Sequence, residues 1–430
     1  MPDRAQPDRA QLDRAQLDRA VEEHAARAVD LLGRLVEQPS TVGQESGAQE
    51  VLAVELDAAG FAVERLQIPD DIGADPLAGV PHMSYAGRYD LIGQRGPKGG
   101  PSLLINGHMD VVPADDASPW SSPPFTPTVV DGWLHGRGAG DMKGGFAAGM
   151  LAIWALDAVA PGWLTGSLTI VSAIEEEYTG NGTLAAARAG HLAEAAILLE
   201  PTDLDILLAG IGIVWIGIEV DGRAAHAESA GMAVNPILAA RPVIDALLDF
   251  ERRTNADRAA DPDPAFAGIE HPYNVNIGTF DAGDWSSSVP AVARLGVRVG
   301  HPGDWTSEQT LERVREHVLA TVADDPWLTE HPPRFVLNGF RAERYAQDAD
   351  SAIVHAIAAA HAELHGSEPE RVSLGSTTDA RFYVNRFGMP AAAYGPRTRN
   401  IHGTDEAVEL DSIVQVAKAV ARLLHDWYAA

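Results

Sequence analysis

Residues 102–110 read SLLINGHMD, residues 167–177 read SLTIVSAIEEE and residues 193–201 read AEAAILLEP. Each is a short apolar run that ends on His, Asp or Glu. Runs apolar at successive positions predict strands covered on both faces, because neighbouring side chains of a strand point to opposite sides. Helically spaced segments lie between them. The alternation predicts an α/β fold: a mainly parallel sheet with helices on both faces. Ligands of such sheets bind beyond the carboxyl ends of the strands, so three polar strand ends mark where a site should form.

Before these strands, Ala25, Val29, Leu32 and Val36 give an amphipathic helix starting near Val21. A helix over 46–59, a strand over 61–68 and a long Pro/Gly-rich loop follow. After 210 the rhythm changes. IVWIGIEV (213–220), YNVNIGTF (273–280) and VARLGVRV (292–299) read as strands, with helices over 233–253 and 307–323. RFVLNGF at 334–340 closes the set or leads out of it. This βαββαβ order predicts a small ferredoxin-like α+β insertion over 210–330. The main domain is then 21–209 with 331–430, including a helix over 350–364, a polar loop over 373–381 and a last helix over 410–427. Residues 2–20, PDRAQPDRAQLDRAQLDRA, form a five-residue repeat and predict a disordered or frayed tail over 1–20.

Composition narrows the function. Lys and Arg number 32 against 61 Asp and Glu, a net charge of −29, which argues against nucleic acid and anionic membranes as partners. With no Cys, disulfides, thiolate metal ligands and a cysteine nucleophile are all excluded. Neither a signal-peptide core nor an apolar span of about 20 residues stands out, so a cytoplasmic protein is expected.

Five side chains of the metal-binding type stand at or near the predicted strand ends and loops. His108 is followed by Asp110, a spacing in which a carboxylate can fix the tautomer of a ligating imidazole. Asp141 lies in GRGAGDMKGG, where its ordinary role would be to cap the following helix. Glu175, Glu176 and Glu177 crowd one strand end, a repulsive arrangement unless cations or solvent relieve it. Glu200 ends ILLEP and His402 lies in NIHGTDE, and either alone reads as an ordinary polar residue. Together, two imidazoles and three carboxylates suit a pair of divalent ions, with a remaining carboxylate as general base.

With these motifs in place the chain resembles the metallohydrolase family of acetylornithine deacetylase, succinyl-diaminopimelate desuccinylase, aminoacylase and carboxypeptidase G. GHMDVVP, GRGAGDMKGG, EEE…GNGT, LLEP, GRAAHAE, TTDARFY and NIHGTDE carry the resemblance, which covers about residues 25–425. It implies two divalent metals, zinc in the first instance with cobalt or manganese as alternatives. Asp141 would bridge them, His108 and Glu200 would complete one site, and Glu176 and His402 the other. Asp110 would orient His108, and Glu175 would be the general base. The family pattern at the acidic run is Asp-Glu-Glu, where this chain has Ile174-Glu175-Glu176-Glu177, so a slip of one residue stays open. The Gly182-Thr183 pair favours Glu175 as base.

The resemblance also assigns His226 to the active site of a neighbouring subunit, implying a homodimer through the insertion, which would act as lid and dimerisation domain. Arg381, Arg298, Thr377 and Thr378, with Asn276 less strongly, match positions that hold a substrate carboxylate. Ile211, Ser287 and Gly296 depart from relatives with anionic side-chain specificity, which argues against succinyl-diaminopimelate. The expected activity is hydrolysis of the amide bond in a small N-acetyl or N-formyl amino acid or amine. A dipeptidase or carboxypeptidase on the same centre is the second reading, and a catalytically silent binding protein is the third.

Overall fold

The computed structural model describes residues 12–114 and 119–429. Residues 1–11 of the repeat lie outside this range. From Arg14 onward the repeat is helix, not tail: Arg14–Val36 is continuous, with the Asp13 carboxylate accepting from the amides of Ala15 and Gln16. Leu17, Ala20 and Val21 are buried on the same stripe as Ala28, Leu31, Leu32 and Leu35. The last copies of the repeat thus place an apolar residue wherever the helix meets the core, and Asp18 pairs with Arg422 at 2.7 Å across to the helix Leu410–Ala429.

Among the described residues the main sheet has nine strands. Its centre is parallel: Ser167–Ala173, Ser102–His108, Ala195–Leu198 and Ala391–Ala393 lie side by side in that order. The flanks are largely antiparallel. Tyr89–Arg95, hidden in sequence within the Pro/Gly-rich loop, pairs antiparallel with Ser167–Ala173, and Ile206–Gly210 pairs antiparallel with Ala393 on the other side. The sheet is therefore mixed, and the expected parallel character belongs to its central strands.

Both faces of those strands are covered. Leu103, Ile105, Leu168, Ile170, Ala195 and Ile197 join the core under the helices Arg14–Val36, Gly144–Val159 and Leu410–Ala429. The alternate residues Leu104, Val171, Ala173, Ala196 and Leu198 pack on the opposite face with Ala186, Ala187, Ala380 and Tyr383. That two-sided burial is why the strands read as continuous apolar runs. The span Ala139–Val159 is long and apolar enough to cross a membrane, but 83% of its apolar window is buried inside the fold. It is apolar all round because it is sandwiched between the first and last helices and the sheet.

The insertion is a second sheet, in which Val275–Ala282, Val292–His301, Gly212–Asp221 and Arg334–Ala342 pair antiparallel in that order. The strand Arg334–Ala342 extends this unit past residue 330. Val214, Ile216, Ile218 and Val220 face the helices Pro236–Ala259 and Ser307–Thr321 and form a separate core. The intervening side chains, Trp215 among them, face the other way. Trp215 meets Tyr178 edge-on at 5.2 Å, so this face of the lid sheet turns toward the carboxyl ends of the main strands.

Candidate metal centre

His108 ends its strand fully buried, and its Nδ1 lies 2.9 Å from the backbone carbonyl of Asp110. This contact fixes Nδ1 as the protonated nitrogen and leaves Nε2 to face Asp141, 3.1 Å from Oδ1. Glu200 approaches the same nitrogen at 3.9 Å. On the other side of Asp141, Oδ2 lies 3.3 Å from His402 Nε2, which is 3.1 Å from Glu177 Oε1. His108, Asp141 and Glu200 form one group of donors within 4.8 Å of each other, and Asp141, Glu177 and His402 form another. Asp141 belongs to both. Imidazole and carboxylate donors in threes, sharing one carboxylate, fit two neighbouring divalent ions.

The acidic run is displaced by one residue from the expected register. Glu175 points away from the cluster. Its carboxylate is fully buried, accepts from Tyr85 Oη at 2.6 Å and Thr179 Oγ1 at 2.8 Å, and is bonded to the Arg88 guanidinium, which also holds Glu45. With both oxygens so engaged, Glu175 has no room to work as a base. Its φ of 62° turns the chain so that the next two residues face the cluster. Glu177, not Glu176, stands beside His402. Glu176 is buried, and its carboxylate has no hydrogen-bond partner among the described residues. Burial, reinforced by the charge of Asp379, pushes that carboxyl well above the usual carboxylate range.

Asp110 also differs from expectation. Its carboxylate is 3.7 Å from His108 Nδ1, and the carbonyl does the orienting. The carboxylate instead accepts from the amides of Glu176 at 3.1 Å and Glu177 at 3.0 Å, pinning the acidic run to the His108 strand end. Burial pushes the Asp110 carboxyl up to about 7 and that of Glu200 up to about 8. The charge of Glu177 raises His402 to about 11, while hydrogen bonds from His108 and His402 hold Asp141 low despite its burial. Carboxylates held together at this density require compensating positive charge.

Glu406, four residues after His402, accepts from the amides of Gly140 at 2.9 Å and Asp141 at 3.0 Å, and from Arg137 at 2.5 Å. Arg137 also reaches the His402 carbonyl at 3.4 Å. This buried pair fastens the Asp141 turn to the His402 loop. Both residues sit inside quoted motifs, GRGAGDMKGG and NIHGTDE, and the signal was their charge within otherwise glycine-rich or polar loops.

The expected carboxylate holders fare unequally. Arg381 is enclosed, bonded to the carbonyls of Thr378 at 3.0 Å and Thr179 at 3.2 Å, 3.3 Å from Asp379 and stacked on Phe382. These contacts engage both terminal nitrogens, while its Nε is buried without a partner among the described residues. Thr378 Oγ1 is occupied by Tyr345 Oη at 2.8 Å, whereas Thr377 Oγ1 is buried without a partner among the described residues. Arg298 has no carboxylate partner among the described residues: it bonds Asn274 and, at 3.0 Å, the Gly375 carbonyl. Asn276 lies directly across from it in the sheet and is exposed. His226 is exposed on the lid, its Nδ1 accepting from the Glu228 amide at 3.2 Å, with no contact to the cluster among the described residues.

Two donor groups sharing one aspartate, with the buried Glu176 carboxylate unbonded among the described residues, have the composition of a two-metal hydrolase centre. The chain belongs to peptidase family M20/M25/M40, whose description matches residues 104–426. It is 30% identical over 412 residues to a succinyl-diaminopimelate desuccinylase of Methylorubrum populi, covering 92% of this chain and 97% of that one. An N-formyl-4-amino-5-aminomethyl-2-methylpyrimidine deformylase of Halalkalibacterium halodurans is 27% identical over 348 residues, 76% of this chain and 79% of that one. The fold is shared with the dipeptidase Dug1p of Saccharomyces cerevisiae, with a TM-score of 0.80, 14% identity and coverage of 97% and 99%. The chain is accordingly a hydrolase of amide bonds.

Proposed function

We propose that this enzyme removes a small acyl group, acetyl or formyl, from the nitrogen of an amino acid or related amine, using two zinc ions. His108, Asp141 and Glu200 would hold one ion, and Asp141, Glu177 and His402 the other. The ions would supply Lewis acidity, polarising the scissile carbonyl and making water acidic enough to lose a proton near neutral pH. Glu176 is the general base: its carboxylate takes the proton of the attacking water and returns it to the leaving nitrogen. Its burial without a hydrogen-bond partner is the observation that carries this assignment, since a base must be free at the start of the cycle.

The relatives named for desuccinylation and deformylation support a small acyl substrate, and Ile211, fully buried in the lid junction, supplies no cation for an anionic acyl tail. His226 of a second copy would complete the site in a homodimer; in its own chain the ring is exposed on the lid and meets no residue of the cluster among the described residues. The test is a metal-dependent hydrolysis screen with acetyl, formyl, succinyl and dipeptidyl substrates. Turnover of the acetyl or formyl compounds supports the proposal. Turnover confined to dipeptides moves the enzyme to the peptidase reading, and none with two ions bound sinks both.

A further inference from the structure

The lid strand Arg334–Ala342 loses register with Gly212–Asp221 between Leu337 and Arg341. The bulge takes Asn338 and Gly339 out of the lid ladder and sets them against Tyr178 and Val80. Bulges of this kind re-aim side chains beside sites. Asn338 Oδ1 accepts from the Tyr178 hydroxyl at 2.9 Å, and Tyr178 directly follows Glu177. Trp215, from the neighbouring lid strand, packs edge-on against the same tyrosine.

Gly339 exchanges backbone hydrogen bonds with Val80, at 2.7 and 3.2 Å. Its φ of 58° and the Trp215 ring, 2.5 Å from where a Cβ would stand, leave glycine as the residue that fits. Gly79 is equally confined: a Cβ there would meet the Thr179 backbone at 2.7 Å and the Gly339 carbonyl at 2.8 Å. Asn181 then ties Gly79 to Tyr85, whose hydroxyl holds Glu175. The lid bulge is therefore linked to both flanks of the acidic run, through Tyr178 after Glu177 and through the 79–85 loop and Asn181 to Glu175.

We infer that the Asn338–Phe340 bulge is a positioning device by which the lid sets the placement of Glu176 and Glu177, acting through Tyr178. The inference rests on the proposed roles of those two glutamates. Asn338 and Tyr178 are positioning residues: neither is among the grouped metal donors, and their effect passes through the backbone that carries the base and one ligand.

The test is a double-mutant cycle of Asn338→Ala and Tyr178→Phe, with Asn338→Asp as the variant that keeps an acceptor. Two readouts are taken: steady-state kinetics, and zinc affinity by titration against a competing chelator. Each single variant should lower kcat about three- to tenfold, with KM little changed, and weaken the more weakly held zinc by a similar factor. The double variant should be no worse than either single one, since both break one contact. Asn338→Asp should restore both readouts. Additive losses, or variants that match the wild type in zinc affinity, overturn the inference. If the wild type turns over no substrate, the functional reading fails and the zinc titration alone decides the latch.

Discussion

Glu177 Oε1 lies 3.1 Å from His402 Nε2, although 225 residues of chain separate them. This contact sets the roles of the whole acidic run. With Glu177 turned to His402 and Glu175 locked onto Arg88, Glu176 is the carboxylate of the three left without a hydrogen bond among the described residues. Asp110 holds the amides of Glu176 and Glu177 and so keeps the run from sliding.

Three amide substitutions should therefore have three different consequences. Glu176→Gln should lower kcat by about 10²- to 10⁴-fold with both metals bound, because only proton transfer is lost. Glu177→Gln should loosen one metal. Glu175→Gln should leave the metals in place but destabilise the fold by roughly 3 kcal/mol, since it takes one of two carboxylates from the buried Arg88. Urea melts, metal analysis and kinetics on the three variants check the assignment. A metal lost with Glu176→Gln would return that residue to the ligand set.

Metal binding should release protons. In the metal-free protein Glu177 raises His402 to about 11, so its imidazole is charged at pH 8, and a ligating imidazole must be neutral. The sign follows for stability as well. A raised histidine stabilises the metal-free fold in full below its unfolded value near 6.5 and loses that contribution as pH climbs toward 11. Metal affinity should accordingly rise with pH across this window. Calorimetry in buffers of different ionisation enthalpy at pH 8 should report at least about one proton released per chain. No release would mean that His402 enters the site already neutral.

The N-terminal helix is a test of the fold rather than of the chemistry. Leu17 is fully buried between this helix and the core, so Leu17→Ala should cost about 2–5 kcal/mol. Deleting residues 1–20 should lower Tm strongly, because it also removes the Asp18 partner of Arg422. An unchanged Tm would restore the tail reading.

What the sequence made legible, and what it did not, divides along a physical line. The central strands were readable because two-sided burial acts locally, and the motif resemblance picked out His108, Asp141, Glu200 and His402, which the fold brings into two donor groups. The Glu175-to-Glu177 register was not readable. It depends on Arg88 and Tyr85, from a loop some ninety residues earlier, capturing one of three chemically identical side chains. The surroundings of Arg381 were hidden for the same reason: its motif was clear, but the Thr179 carbonyl and Asp379 that meet its guanidinium come together only in three dimensions. The helical part of the repeat was obscured by its charge, which pairs with the last helix instead of meeting solvent.

The proposed trans role of His226 predicts complementation. Its Nδ1 is engaged by the Glu228 amide, which leaves Nε2 as the nitrogen available to a second chain. His226→Ala and Glu176→Gln should each be nearly inactive alone. If the chains exchange, half of the dimers in an equal mixture are mixed and each has one complete site, so about a quarter of wild-type activity should return. A mixture that stays inactive, or a fully active monomer in sedimentation, removes His226 from the mechanism.

Recognition of the substrate carboxylate should rest on Arg298 and not on Arg381. Arg298 lies across the lid sheet from Trp215, on the face turned to the centre, and its bond to Gly375 brings it beside the loop that carries Thr377 and Asp379. Burial lowers its pKa, which marks a desolvated guanidinium without a counter-ion. A substrate carboxylate would supply one. A charged hydrogen bond of this kind contributes about 1.5–3 kcal/mol, or roughly 10- to 150-fold in kcat/KM. Wild-type enzyme should therefore prefer an N-acetyl amino acid to its carboxamide by that factor, and Arg298→Met should abolish the preference while leaving turnover of the carboxamide nearly unchanged. Arg381→Met should instead unfold more easily, because Asp379 would be left buried and unpaired, with the preference for the acid kept in the molecules that fold. If wild type and Arg298→Met treat acid and carboxamide alike, the substrate has no carboxylate at this position, and neutral acylated amines become the class to screen.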